Sequence, residues 1–396
     1  MAVPQVVLVT GASRFLGGYL VTRLAQNPAI ERVIAVDSCS PSKDLLRRMG
    51  RAEFVRADIR NPLIGKVIRN AGVDTVVHAA TITKPPRSGG RATMKDLNVI
   101  GAMQLFAVCQ KAPTVRKVVL RSSSSVYGCS AKDPVKFTEE MSARRPPSGA
   151  FARDTIDIEG YIRGMGRRRP DIAVSILRMA PLIGPRLNGT ISRYMTSPLI
   201  PSIVGRDARM QLLHEEDALA ALERATVSGP AGTFNVGADG TVMLSQAIRR
   251  AGRIEVPVPF ALFKSVGRAL MGGMMREFTT EQLDYFHFGC GLDTTRMKSD
   301  LGFEPDGPPF RPSTTSCAEL RFARCCAPSG STRWRAVCSR LSTRPQDSHP
   351  LRHQDGRGER GGEGDSIARH RFRSPPSRPQ GCRPQAFRPE AFPPER

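Results

Sequence analysis

Aromatic side chains make up only 6% of these 396 residues, with a single tryptophan and six histidines. Without aromatics interleaved among basic residues there is no base-stacking platform. The formal charge of +23 therefore reads as a solvated basic surface, not a specific nucleic-acid site. Long hydrophobic runs are missing too, and no stretch of about 18 apolar residues is present to form an ordinary membrane-spanning helix. The most apolar late segment, residues 256–275, is broken by Pro257, Pro259, Lys264 and Arg268 and is expected to be a core or surface helix. Met1 to Thr10 offers no charged n-region or cleavage site, so no secretory signal is expected. Cys39, Cys109, Cys129 and Cys290 are scattered without metal-ligand spacing, and His78 and His214 stand alone. The expectation is reduced thiols in a cytoplasm, packing or hydrogen-bonding histidines, and no metal.

Lysine is absent from the last 92 residues, which hold 17 arginines, 9 acids, 14 of the 32 prolines and five of the nine cysteines. Leu, Ile, Val and Phe together supply 10 of those 92 positions, too few to build a core. Residues 305–396 are thus expected to be low-complexity and disordered, either as a natural basic tail or as GC-rich codons read out of frame. The first 304 residues carry +15 and ample apolar material.

Within them, apolar β-branched runs alternate with amphipathic stretches. Gln5–Val9, Arg32–Val36, Glu53–Val55, Thr75–His78, Lys117–Leu120 and Ile172–Leu177 read as strands. Phe15–Gln26, with Leu16, Leu20 and Leu24 at four-residue spacing, Ala92–Gln110 and Phe151–Arg168 read as helices. Such alternation implies parallel strands with crossover helices, hence an α/β doubly wound sheet over residues 1–180. Beyond Pro181 the elements shorten (Glu215–Val227, Thr233–Val236, Val242–Ala251), as expected of a smaller lobe over residues 181–304.

The first strand runs into Thr10-Gly11-Ala12-Ser13-Arg14-Phe15-Leu16-Gly17, which opens the first helix. In such a turn glycines permit a tight bend, close approach to a pyrophosphate and close helix-to-strand packing, while the helix amino terminus offers N–H groups to phosphate. Asp37 ends the second strand twenty residues after Gly17. A carboxylate there accepts ribose hydroxyls and repels a 2′-phosphate, favouring NAD over NADP.

With these motifs in order, the chain resembles the extended short-chain dehydrogenases/reductases, specifically the NAD-dependent epimerase/dehydratase family. The likeness spans about residues 3–305. It implies adenine contacts at Asp58-Ile59, a cofactor lining at His78-Ala79-Ala80, and Asn98 in a helix that braces the sheet. Ser122-Ser123-Ser124-Ser125-Val126-Tyr127-Gly128 is similar to the family's active-site serine motif, which makes Ser123 the hydroxyl on the reacting oxygen. Ile176-Leu177-Arg178, Ile183-Gly184-Pro185, His214-Glu215-Glu216-Asp217, Phe234-Asn235-Val236-Gly237 and Leu301-Gly302-Phe303-Glu304-Pro305 match later signatures. The implied ligands are NAD and a nucleotide-sugar-like small molecule, and the implied assembly is a homodimer through Ala92–Gln110 and Phe151–Arg168.

The chain departs from that family where acid–base chemistry is needed. The Tyr-x-x-x-Lys register falls on Phe151 and Thr155, so neither a phenolate nor the cation that stabilises it is present. Tyr161 lies ten residues along the same helix, about 15 Å away at 1.5 Å per residue. Arg153 makes a poor base, and Asp154 or Asp157 would serve only if turned toward the cofactor. Arg14 replaces a glycine and either meets the cofactor phosphates or points to solvent. Pro181 replaces a substrate-contacting Asn, and Ser124 and Ser125 replace the Asp-Glu pair of 4,6-dehydration. Two functions stay open: a nucleotide-sugar epimerase/dehydratase with a degenerate dyad, or an inactive NAD-binding sensor or scaffold.

Overall fold

A computed structural model describes residues 3–306 except 87, 188 and 272–277. The expectation for the tail lies outside the described residues from 307 onward. Six parallel strands follow the alternation read above: β1 (Val6–Thr10), β2 (Arg32–Asp37), β3 (Glu53–Arg56), β4 (Thr75–His78), β5 (Lys117–Ser123) and β6 (Ala173–Met179). A seventh, Gly232–Val236, pairs in parallel with β6, giving the order Gly232–Val236, β6, β5, β4, β1, β2, β3. This strand comes from beyond residue 180, so the parallel sheet draws on chain that sequence alone assigns to the smaller lobe. Strands such as Val7-Leu8-Val9 and Val76-Val77 are apolar on both faces because helices cover both faces, and one core cluster lies on each side.

Helix α1 (Phe15–Gln26) buries Leu16, Leu20 and Leu24 on one face, as their spacing dictates. The expected helix 92–110 is instead three pieces: Gly90–Lys95, a π-helical turn at Asp96–Ile100, and Gly101–Lys111. That turn carries Asn98, whose amide bonds to the backbone of Ile82 in the loop after β4. The segment expected as one helix over 256–275 is also divided. Ile254–Val258 is a strand paired with Leu199–Ile203, and the helix Phe260–Met271 starts only after Pro259. Proline lacks the N–H and clashes with the preceding turn, so a helix through Pro257 and Pro259 is excluded. Among the described residues no helix is long and apolar enough to cross a membrane.

Order in the sheet reverses between β1 and β4, and their carboxyl ends leave a crevice there. The cofactor motifs all converge on this edge.

Candidate active site

Sterics define the glycine turn. Gly11 has φ of 77°, and a Cβ on it would stand 2.8 Å from the Ala80 Cα. A Cβ on Gly17 would strike the Gly11 carbonyl. Both glycines let strand, turn and helix close on one another. Arg14 is the exposed N-cap of α1, and no side chain caps this helix. The N–H groups of Phe15 and Leu16 in the uncapped first turn thus face the crevice as anion donors. Asp37 sits at the carboxyl end of β2, where its Oδ2 accepts from the Ser13 backbone (3.0 Å) and hydroxyl (2.6 Å). Its carboxylate therefore also locks the turn. Turn, uncapped helix and carboxylate together fit a dinucleotide.

Four residues expected at the cofactor have their side chains engaged within the protein. His78 is fully buried and bonds through Nδ1 to the Thr10 hydroxyl at 2.9 Å, with Phe106 at its edge. Burial pushes its pKa down to about 4, so it is a neutral core residue and only Ala79 and Ala80 remain to line the crevice. Asn98 is likewise buried. Its amide is spent on Ile82 and, at 3.1 Å, on Asp154, so it braces the loop after β4. The Asp58 carboxylate forks onto Arg60 at 2.6 Å; burial raises its pKa but the Arg60 bonds outweigh it, and the net shift is downward. Ile59 is buried, and its side chain fills the space that a Cβ on Gly101 would need.

Below the cofactor edge opens a cavity of about 870 Å³. Strand β5 supplies its near wall. Ser122 turns away to the helix Ala150–Arg168, donating to Glu159 at 2.6 Å, while Arg121 and Ser123 line the cavity. Ser123 Oγ accepts from the Ser125 N–H at 3.2 Å, and the buried Ser125 hydroxyl has no partner. Phe151 lines the same cavity, but Thr155 is buried with its hydroxyl donated to the Phe151 carbonyl at 2.8 Å. Of this pair only Phe151 reaches the cavity, and its ring can neither give nor take a proton.

The other bases named from sequence are occupied elsewhere. Asp154 is buried and bidentate with Arg91 at 2.7 and 2.5 Å, and Asp157 faces solvent. Tyr127 lies in the cavity wall, yet its hydroxyl donates to Asn235 at 2.7 Å and accepts from Arg178 at 2.9 Å. Burial raises its pKa to about 12, so it holds its proton at neutral pH.

Sequence reasoning missed the buried polar network beneath this wall. Arg178 forks onto Glu159 at 2.7 and 3.0 Å, and also donates to the Glu139 carbonyl. Burial raises the Glu159 pKa, but Arg178, Ser122 and Arg163 outweigh it and hold it below the usual range. Both residues lie in family motifs, but no local signal pairs them. Arg121 was equally overlooked, although period-two alternation along β5 puts it on the face of Ser123.

The family model described as "NAD dependent epimerase/dehydratase family" matches residues 7–237, and the chain belongs to this family. An uncharacterised protein of Mycobacterium tuberculosis is 65% identical over 302 residues, covering 76% of this chain and 80% of that protein. UDP-glucose 4-epimerase of Thermotoga maritima, solved with UDP-glucose, superposes with a TM-score of 0.59 at 20% identity, over 81% of this chain and 97% of that one. A UDP-glucuronic acid 4-epimerase of Bacillus cereus, solved as a tyrosine-to-phenylalanine mutant with a fluorinated UDP-sugar and NAD, gives 0.57 at 18% identity, over 81% and 98%. These two show the fold that the chain shares.

Proposed function

We propose that this chain holds NAD and a nucleotide sugar as an epimerase/dehydratase-type oxidoreductase or isomerase resembling UDP-glucose 4-epimerase, with a degenerate Tyr–Lys pair. The observation that carries this reading is the 870 Å³ cavity, which Arg121 and Ser123 line at the end of β5 and which extends to Pro181 and Leu187. NAD, when bound, supplies the hydride acceptor. Ser123 holds the reacting oxygen by hydrogen bonding, and Lys132, Arg144 and Arg145 in the cavity wall give a diphosphate its counter-charge. Asp37 favours NAD over NADP by repelling a 2′-phosphate. That a tyrosine-to-phenylalanine mutant of a fold neighbour is solved with NAD and a UDP-sugar supports ligand binding without a full complement of tyrosines.

The second reading, a non-catalytic NAD-binding sensor or scaffold in the cytoplasm, draws on a specific observation. Phe151 and Thr155 offer no base, Tyr127 and Asp154 are held in hydrogen bonds to Asn235 and Arg91, and Asp157 faces solvent. In either reading we propose a homodimer through the helices around 101–111 and 150–168, where Ile156 and Tyr161 are exposed. Absorbance detection of NADH with UDP-, GDP- and dTDP-sugars separates the two readings. NADH or an epimer supports the enzyme, whereas NAD binding without either product supports the sensor.

A further inference from the structure

Three arginines that reach buried carboxylates are ion-paired with them: Arg178 with Glu159, Arg186 with Glu215, Arg91 with Asp154. Arg121 is different. It stands on β5 two residues before Ser123, lines the cavity, and among the described residues has no acidic partner. Its one hydrogen bond runs to the Thr81 hydroxyl at 2.5 Å, in the loop just past Ala79-Ala80, and its Nε is buried with no partner at all. Burial, and then the like charge of Arg14, pulls its pKa down to about 10, which leaves it cationic at neutral pH. Arg14 is near enough for that repulsion and likewise makes no ion pair among the described residues. A buried guanidinium without a counter-charge, with a second one close by, is costly to fold, and an anion bound at the site would offset that cost.

Placement narrows the anion. Thr81 lies in the loop that follows β4, Arg14 is the N-cap of α1, and between β1 and β4 the sheet order reverses. A diphosphate at this edge would lie between the uncapped helix end and the Arg121 fork, whose geometry suits two phosphate oxygens.

We propose that Arg121, assisted by Arg14, is a phosphate-binding residue for the diphosphate of the dinucleotide, reaching it from the end of β5. This rests on the NAD-binding reading above. The same chemistry would suit the diphosphate of a nucleotide sugar, and the test separates the two.

The full chain is titrated with NADH by fluorescence and with UDP by calorimetry, alongside Arg121→Gln, Arg121→Lys and Arg14→Gln. Arg121→Gln should weaken NADH by about tenfold or more while UDP changes by less than about twofold. Arg121→Lys should recover part of the loss, and Arg14→Gln should have a smaller effect in the same direction. Because the apo protein then loses an unpaired buried cation, Arg121→Gln should melt at or above the parent temperature, while the upward shift that NADH gives the parent should shrink. NADH binding within about twofold of the parent overturns the assignment and leaves the cofactor reading intact. Loss of UDP binding with NADH unchanged moves the arginine to the sugar nucleotide and also overturns it. A parent protein that binds no NADH sinks both.

Discussion

The two walls of the cleft have kept different things. The wall made by β1, the glycine turn and α1 retains what a dinucleotide needs, because its requirements are steric: Gly11 and Gly17 must lack a Cβ where Ala80 and the Gly11 carbonyl approach. The wall made by the helix Ala150–Arg168 has a buried anchor, Glu159, but carries Phe151 and Thr155, neither of which can serve as the proton-transferring pair. Dinucleotide binding at such a turn draws on many backbone atoms, so no single side chain carries all of it. Proton transfer depends on one pKa-tuned pair and is lost when that pair goes.

The largest test of this contrast rebuilds the lost pair. Phe151→Tyr with Thr155→Lys should raise turnover on the best nucleotide sugar by about 10² to 10⁴, read as initial rates. If the double substitution stays inert at saturating NAD, the sugar wall has diverged as well. Next comes the anchor that the catalytic wall has kept. Glu159→Gln leaves Arg178 buried without its counter-charge and should cost about 3–5 kcal/mol in urea unfolding. A loss below about 1 kcal/mol would show that the network does not hold this wall in place. The smallest effect concerns the cofactor wall. His78 is neutral in the fold, with its pKa lowered to about 4 from 6.5. Between these values the unfolded chain binds the proton and the folded chain does not, so stability falls as pH drops below 6.5, by up to about 3 kcal/mol near pH 4. In His78→Phe this segment of the pH dependence of Tm should flatten.

Much of the fold was legible because its rules are local. The helix Phe15–Gln26 and the strand Thr75–His78 have the bounds that their spacing implies, and Glu215–Val227 does too. The long helix expected over 92–110 was not, because the π turn at Asn98 answers to a loop sixteen residues earlier in the chain. Side-chain direction was the weakest inference. His78 and Asn98 sit in cofactor motifs yet face the core, and Asp154 was eliminated as a base only by Arg91, 63 residues away.

By itself the sequence determined the family-like order of motifs, the dinucleotide turn and the replacement of the dyad by Phe151 and Thr155, since each is a matter of residue type at a fixed local spacing. Tertiary structure alone decided which polar groups remain free. It committed Tyr127 to Asn235 and Arg178, and Asp154 to Arg91, and it left Arg121 facing the cleft without a carboxylate. A hydrogen bond or ion pair needs two groups within about 3 Å, and only the folded chain brings partners so distant in sequence that close.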